Sequence, residues 1–347
     1  MTGHHNPEED TNPPSVTLID ILGTAIKARG DLIDPQHETA LRLFNGFLEG
    51  CPDLVVDLYA RTAVLYNYAS PPDTVQIMLG AIQQILLNHL PWLRAIVVKT
   101  RHGSDEQDRL GRLVYGENFD KRITEQGVRY AIDVLINQDA SLYLDTRNLR
   151  LWAKTHLTGK TVLNTFAYTG SYGVAAAVGG AERVVHLDLN RRYLNLAKTS
   201  YTLNGIPVER PDFIQGDFWK SINHLKRTNE LFDCIFLDPP FFSTSHGGTV
   251  DLLRNNKTTI NKVRPLVKDG GYLVAINNAL YVSGEDYLRT LEELCAGGYL
   301  LIESFIPVPP DFTGYTHTRV GSLPADPSPF NHSTKIALLR VRRKDGR

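Results

Sequence analysis

The apolar run Cys234-Ile235-Phe236-Leu237 stops at Asp238-Pro239-Pro240-Phe241-Phe242, and this junction constrains the fold more than any other stretch of the chain. Proline has no N–H to give to a ladder, so the backbone cannot stay in the middle of a sheet beyond Asp238. A short apolar run that ends on an acid and two prolines reads as a buried parallel strand leaving its sheet. In open α/β sheets, ligands sit outside the carboxyl ends of the strands. The acid and the prolyl carbonyls can accept hydrogen bonds from an amino group or a ring N–H. Aromatic rings beside them can stack on a base, a contact worth roughly 1–3 kcal/mol. The same residues also fit a plain strand-ending turn with a core Phe pair.

The pattern around this junction extends the reading. After about residue 137, strands expected at 161–164, 183–188, 212–215, 232–237 and 272–277 alternate with helices at 173–178, 191–204, 218–225, 257–267 and 284–296. That alternation predicts a doubly wound α/β unit with a mainly parallel sheet. Two last strands, 300–307 and 335–341, are expected to pair as an antiparallel edge, with a Pro-rich loop at 307–329 between them. Residues 16–137 read differently. A helix at 16–29, a helix or strand at 37–48, paired strands at 54–59 and 63–68 around Ala60-Arg61, an amphipathic helix at 73–90, a strand at 95–99, a solvated loop at 101–112 and a strand at 128–136 make a smaller α+β domain with an antiparallel sheet. The expected division is therefore a disordered polar tail at 1–15, the α+β domain at 16–137 and the α/β domain at 138–347. His4-His5 in the tail reads as incidental.

Composition excludes several classes. With 42% hydrophobic and 22% charged residues among 347, the chain has ample core material. Its formal net charge is −1, so any surface for nucleic acid must be local. Arg101, Arg109, Arg112, Lys154, Arg254, Lys257 and 340–344 are candidates for phosphate contact, or simply solvated faces. Cys51, Cys234 and Cys295 show no CxxC spacing, which argues against a zinc site or a disulfide framework and fits a reducing, cytoplasmic compartment. No run of eighteen apolar residues offers a membrane span.

Three further loops follow strand ends. Residues 162–173 make a strand, a loop and a helix start. Gly170 and Gly173 there let the backbone approach a ligand, next to free N–H groups of the helix that opens at Ser171. Asp188 closes the next strand, 24 positions after Asn164, where an acid bonds the ribose of an adenosine-containing cofactor. Asp217, after the third strand, can accept an adenine amino group with Phe218 beside the ring, or only cap the next helix. These loops, followed by Asp-Pro-Pro, favour S-adenosylmethionine over a nicotinamide dinucleotide.

The segments Asn164 to Gly173, Asp188, Asp217 and Asp238 to Phe241 resemble the motifs of class I S-adenosylmethionine-dependent methyltransferases, whose fold is a Rossmann-like, mainly parallel seven-stranded sheet. Residues 141–150, Ser-Leu-Tyr-Leu-Asp-Thr-Arg-Asn-Leu-Arg, resemble the YLDQR-like signature of the large-subunit ribosomal RNA methyltransferases. Arg42, Gly46, Glu49-Gly50, Pro52, Val56-Asp57 and Tyr59 resemble that family's central domain. The resemblance implies that Asp145 and Arg147 hold the first loop and the methionine end of the cofactor. Asn164, Phe166, Tyr168, Gly170 and Ser171 would wrap its methionine side. Asp188 and Leu189 would take the ribose, Asp217 and Phe218 the adenine. Asp238, Pro239, Pro240 and Phe241 would face the methyl acceptor. Arg147 and Arg150 also fit a basic helix start on the surface.

The resemblance spans branches with different chemistry. Methylation of cytosine C5 needs a cysteine nucleophile, which the branch carries after the strand that follows Asp-Pro-Pro. Residues 273–280 hold none. Asn277-Asn278 instead resembles the Ser-Asn-Asn of the guanine-N7 branch, which makes Asn277 a catalytic candidate, although strand capping explains the pair equally. Only a helix and a tail precede the central domain, where the C5 branch carries a PUA-type RNA-binding module. Phe241, Phe242 and residues 315–319 are candidates to stack on a base. The expected function is methyl transfer to a base nitrogen of RNA, with 23S ribosomal RNA as partner. A C5 enzyme, a small-molecule or protein methyltransferase and a non-catalytic RNA-binding factor stay open. A homodimer is expected from the family alone.

Overall fold

The computed structural model describes residues 17–245, 247–252 and 256–346. The tail with His4 and His5, and Arg254, lie outside the described residues. Helix α1 (Leu18–Ala28) opens on a capping box in which the Thr17 hydroxyl accepts from the Asp20 N–H and the Asp20 carboxylate accepts from the Thr17 N–H. Residues 37–48 resolve as strand β1 (Ala40–Asn45) followed by one 3-10 turn. Strands β2 (Leu54–Tyr59) and β3 (Thr62–Asn67) form the expected hairpin, with Ala60 in the left-handed conformation at its turn.

The sheet departs from the expected all-antiparallel form at its next strand. Helix α2 (Asp73–His89) crosses over from β3, and β4 (Ala95–Thr100) returns parallel to it. A crossover of that length permits a parallel return where a short turn does not. The stretch read as a solvated loop contains helix α3 (Glu106–Leu110), begun by Asp105, whose carboxylate accepts from the Gln107 N–H. Strand β5 (Arg112–Tyr115) completes a sheet of order β1-β2-β3-β4-β5. One face packs on α1 and α2 through Leu22, Ile26, Leu43, Val56, Ile82 and Ile96. The other, through Tyr59, Val64 and Val97, meets the hairpin of β6 (Arg122–Glu125) and β7 (Val128–Ala131), and with it Val174 and Ala197 of the α/β region. The strand expected at 128–136 thus ends at Ala131.

Helix α4 (Arg147–His156) leads into the α/β region. There follow β8 (Thr161–Thr165), α5 (Ser171–Val178), β9 (Arg183–Asp188), α6 (Arg191–Leu203), β10 (Phe213–Gln215), α7 (Phe218–Arg227) and β11 (Phe232–Leu237). A small hairpin, β12 (Phe242–Ser245) and β13 (Gly248–Asp251), precedes α8 (Asn256–Val263), β14 (Val267–Asn277), α9 (Gly284–Cys295), β15 (Leu300–Phe305), α10 (Pro310–Thr313) and β16 (Lys335–Val341). The seven-stranded sheet has the order β10-β9-β8-β11-β14-β16-β15. Its first five strands are parallel, and β16 runs antiparallel between β14 and β15. The apolar run of β11 is explained by layers on both faces: Ile235 and Leu237 join one core, Cys234 and Phe236 the other. The chain winds outward from β8 to β10 and then returns to β11, so a crevice opens between the carboxyl ends of β8 and β11.

Ion pairs of the buried Glu125 with Arg150 and Arg147 join the two regions, and further buried pairs brace each side. The Arg150 guanidinium, 1% exposed, donates to both Glu125 oxygens at 2.7 and 2.8 Å, to the Tyr143 carbonyl at 2.6 Å and to the Thr146 hydroxyl at 2.9 Å. Arg147 pairs with the fully buried Asp311 at 2.7 Å, and Arg29 with Glu49 at 2.9 Å. These arginines are not a surface helix start. Removing one partner strands the other charge in a dry interior, which costs about 3–5 kcal/mol. Arg150→Ala is therefore expected to lower unfolding free energy by about that amount in a denaturant titration, while Arg289→Ala, on an exposed pair, changes it by under about 1 kcal/mol.

Candidate functional site

The crevice is a cavity of about 450 Å³, within the size range of cofactor sites. Its floor is the loop after β8. Phe166 and Tyr168 each have φ 51° and Gly170 has φ 78°. Left-handed backbone at two aromatic residues is costly, of order 1 kcal/mol or more each, and their neighbours hold them there. The Tyr168 N–H donates to Asp188 Oδ2 at 2.7 Å, and the Asn190 N–H donates to Asp188 Oδ1 at 2.8 Å. Burial pushes the Asp188 carboxyl up, while these backbone donors oppose it. A carboxylate has about four lone-pair sites, so Asp188 keeps acceptor capacity toward the cavity.

One end of the cavity is aromatic and closed by the small hairpin. Phe166 stacks on Phe218 with centroids 4.5 Å apart. Asp217 caps α7, accepting from the Lys220 N–H at 2.9 Å. Burial works to raise its pKa, but hydrogen bonds from Ser245 and the Lys220 N–H win and hold it below the usual carboxylate range. Ser245 lies at the end of β12, so the hairpin is latched to the acid. A Cβ on Gly247 would sit 2.2 Å from Asp217 Oδ1; only glycine lets the hairpin come so close.

The other end carries Asp238. The Tyr172 hydroxyl donates to its Oδ2 at 2.7 Å. Burial pushes the Asp238 carboxyl up to about 7, the Tyr172 bond opposes the shift, and the charge of Asp145 adds to it. The Thr334 hydroxyl donates to Asp145 Oδ2 at 2.7 Å. Asn137 Nδ2 donates to the Tyr168 and Tyr193 hydroxyls at 3.1 and 3.3 Å, tying two aromatic walls together.

The structure brings most of the expected residues to this cavity. Asp145, Phe166, Tyr168, Ser171, Asp188, Leu189, Asp217, Phe218, Asp238, Pro239 and Pro240 line it. Others lie off it. Arg147 turns away to Asp311 and Glu125. Asn164 is fully buried beneath the floor, near His186. At Gly170 and Gly173 the missing side chain makes room for protein: a Cβ would stand 2.6 Å from Ala197 Cβ at the first and 2.4 Å from His186 Cε1 at the second. Phe241, 48% exposed, lies outside the lining. Asn277 is buried, and its Oδ1 accepts from the Ala279 N–H at 2.9 Å; Asn278 lines the cavity in its place. Of residues 315–319, two are tied to the smaller region instead, with the Thr318 hydroxyl on Glu49 at 2.6 Å and Tyr315 against Arg29 at the end of α1. Arg101, Arg112, Lys257 and Arg340 are all engaged by carboxylates.

The sequence reading missed Tyr172, Tyr193, Asn137, Thr334 and the hairpin wall of Ser243 to Ser245. The hairpin carried a signal, Gly247-Gly248 between short β-forming stretches. The others carried none, since their place depends on contacts far along the chain. The raised Asp238 predicts a pH effect. Its folded pKa lies above the unfolded value of about 4, so ionisation opposes folding as pH rises from about 4 to 7 and stays costly above. Asp238→Asn keeps an acceptor for Tyr172. Its melting temperature should exceed the parent's by a few degrees at pH 8, with the gain vanishing below pH 4; an equal difference at both pH values would refute this.

A family model described as S-adenosylmethionine-dependent methyltransferase matches residues 67–317. YwbD of Bacillus subtilis, whose name places it provisionally among ribosomal RNA large subunit methyltransferases, is 31% identical over 268 residues, 74% of this chain and 65% of its own length. Ribosomal RNA large subunit methyltransferase I of Aeromonas salmonicida is 29% identical over 73% of this chain and 64% of its own. Ribosomal RNA large subunit methyltransferase K/L of Allochromatium vinosum is 31% identical over 78% of this chain and 38% of its own. The chain thus spans less than two thirds of the length of these relatives. Among solved structures, one from Streptococcus mutans superposes with a TM-score of 0.80 at 21% identity over 95% of this chain and 83% of that one. SMU.776, solved with SAH, gives 0.80 at 21% over 93% and 80%. These likenesses show the fold. Among the described residues, no helix is long and apolar enough to cross a membrane. Taken with the match over residues 67–317, the site identifies the chain as a member of the S-adenosylmethionine-dependent methyltransferase family.

Proposed function

We propose that this chain transfers a methyl group to a nitrogen of an RNA base, with 23S ribosomal RNA as its substrate, and that it works in the cytoplasm. The observation that carries the nitrogen reading is the make-up of the cavity: Asp238 stands at its acceptor end, and none of Cys51, Cys234 and Cys295 lines it. Carbon C5 of cytosine must be activated by a thiolate, and burial pushes the Cys234 thiol well up, away from that state. A nitrogen lone pair needs alignment rather than a covalent step. The names of the relatives support ribosomal RNA as the acceptor.

The lining fits the family's cofactor. Asp188 keeps lone pairs for ribose hydroxyls, Asp217 can accept an adenine amino group, and the Phe166–Phe218 pair offers a flat apolar wall. Asp145, Tyr168, Ser171 and Leu189 bound the remainder. S-adenosylmethionine supplies a sulfonium methyl; as the nitrogen forms its bond to that carbon, the S–C bond breaks and S-adenosylhomocysteine remains. Asp238 and the Pro239 carbonyl accept hydrogen bonds from the acceptor base and turn its lone pair toward the methyl. With a pKa near 7, Asp238 can also take the proton that an amino nitrogen releases. Tyr172 fixes the orientation of its carboxyl. Residues 16–137 supply the surface that meets RNA.

Labelled methyl transfer to ribosomal RNA from cells lacking the gene tests the reading. The wild-type chain should label an N-methylated base. Asp238→Ala should lose at least about a hundredfold in kcat, the scale of general acid–base and orientation effects, while binding S-adenosylhomocysteine as before. Asp188→Ala should weaken that binding about tenfold or more, consistent with loss of a hydrogen bond to a charged acceptor. Label in 5-methylcytosine, or full activity in Asp238→Ala, would overturn the proposal.

A further inference from the structure

A second cavity, also of about 450 Å³, lies behind the first. The carboxyl end of β14 and the exit of β13 form the wall between them. Ile276 and Asn278 line the first cavity while Asn277 lines the second; Val250 lines the first and Leu252 the second. The Asn277-Asn278 pair is therefore split, one residue to each side. The remaining wall comes from the start of α8 (Asn256, Lys257), from Tyr281 and from α9 (Asp286, Tyr287).

Two side-chain amides of this second cavity, Asn256 and Asn277, have donors to offer, beside the acceptors Asp286, Tyr287 and Thr290. Asn277 Oδ1 already accepts from the Ala279 N–H, and its Nδ2 is a donor the amide can offer a ligand. Asn256 is 7% exposed, and its Nδ2 makes no hydrogen bond of full geometry, although its side chain leans on the Tyr287 hydroxyl. A buried amide donor left unpaired costs about 1–3 kcal/mol, a cost that a ligand's acceptor oxygen would remove. Asn256 is also the first residue of α8, an eight-residue helix whose opening N–H groups favour the same kind of partner. Tyr281 presents a ring that is 78% exposed, with Leu280 beside it. An acceptor oxygen between amide donors with a free ring above describes a nucleobase bearing a ring carbonyl. A phosphate fits less well: Lys257 is already paired with Glu293, and the Asp286 carboxylate faces the same space.

We propose that this second cavity is a nucleobase subsite, holding a carbonyl-bearing base that neighbours the acceptor base, between the Asn256 and Asn277 amides and the Tyr281 ring. The proposal rests on the RNA reading of the first cavity and adds to it: the enzyme holds two adjacent bases, one on each side of the β13–β14 wall. The shared wall sets the spacing, and Asn278 and Asn277 read the two bases from a single strand end.

The test is calorimetric. The whole chain, saturated with S-adenosylhomocysteine to fill the cofactor part of the first cavity, is titrated with guanosine, uridine and adenosine 5′-monophosphates and with inorganic phosphate, and binding at the second cavity is the part that Tyr281→Ala removes. Guanosine or uridine monophosphate should bind several-fold more tightly than adenosine monophosphate, whose base has no carbonyl. Tyr281→Ala, at an exposed position, should weaken that binding about tenfold, the scale of one stacking contact. Asn256→Ala should do the same, with S-adenosylhomocysteine affinity unchanged in both. Absence of nucleotide binding, indifference to Tyr281→Ala, equal binding of all three nucleotides, or displacement by inorganic phosphate alone would each overturn the subsite. Methyl transfer to ribosomal RNA, measured on the same preparations, separates the two readings. Transfer without nucleotide binding removes the subsite only. Nucleotide binding without transfer removes the RNA-methylation reading and leaves the subsite standing.

Discussion

The carboxylate of Glu125 and the guanidinium of Arg150 carry more of this molecule than any other pair. Glu125 ends the strand β6, Arg150 lies on α4, and both are buried. Without its partner, each would be a bare charge in a dry interior, so the hairpin and the helix must stay docked. The same guanidinium donates to the Tyr143 carbonyl and the Thr146 hydroxyl, and Tyr143, Asp145 and Thr146 are walls of the crevice. A buried charge just outside the lining thus sets the position of a cavity wall. Charges of this kind cost stability compared with a well-packed apolar junction, and their use here is to fix one arrangement among the many that an apolar seam would tolerate.

The crevice itself was readable to the extent that it is made from strand ends. Asp188 and Asp238 close or follow their strands directly and Asp217 comes two residues after the end of β10, so local pattern and sheet geometry settle where they stand. Arg147 could not be placed that way. Its partner Asp311 is 164 residues further on, and nothing in the neighbourhood of Arg147 announces a buried acid. Asn277 and Asn278 show the same limit at smaller scale. Both close a strand, but which of two neighbours faces the cavity depends on the twist of that strand end and on the turn that Ala279 makes. The parallel pairing of β3 with β4 was hidden for another reason: a strand of six apolar or mixed residues carries no mark of its direction, and only the crossover helix decides it. Glycines at 170 and 173 also answer to packing that the sequence does not announce, because a side chain there would meet a histidine ring or an alanine of the protein.

Asp217 shows how one side chain serves structure and site together. Its carboxylate caps α7, holds the hairpin through Ser245, and forms part of the cavity lining. The readings of it as helix cap and as cofactor acceptor are therefore compatible, because a carboxylate has more lone pairs than a cap consumes. The lowered pKa keeps it ionised across the physiological range, as an acceptor-only group must be. Asp238 is the opposite case. Its more apolar setting raises its pKa toward neutrality, so two acids on one cavity differ in the state in which they meet a ligand.

The position of β16 has a consequence for how the molecule is made. This strand, residues 335–341, lies between β14 and β15 and pairs with both. Until it is synthesised, β15 has no place in the sheet and β14 presents an open, apolar edge. A chain emerging residue by residue must carry that edge for some sixty positions beyond β14, during which it is a template for pairing with other chains. It is therefore β16 that removes the hazard, and loss of this strand would be felt first as aggregation of the nascent protein, before any loss at the crevice.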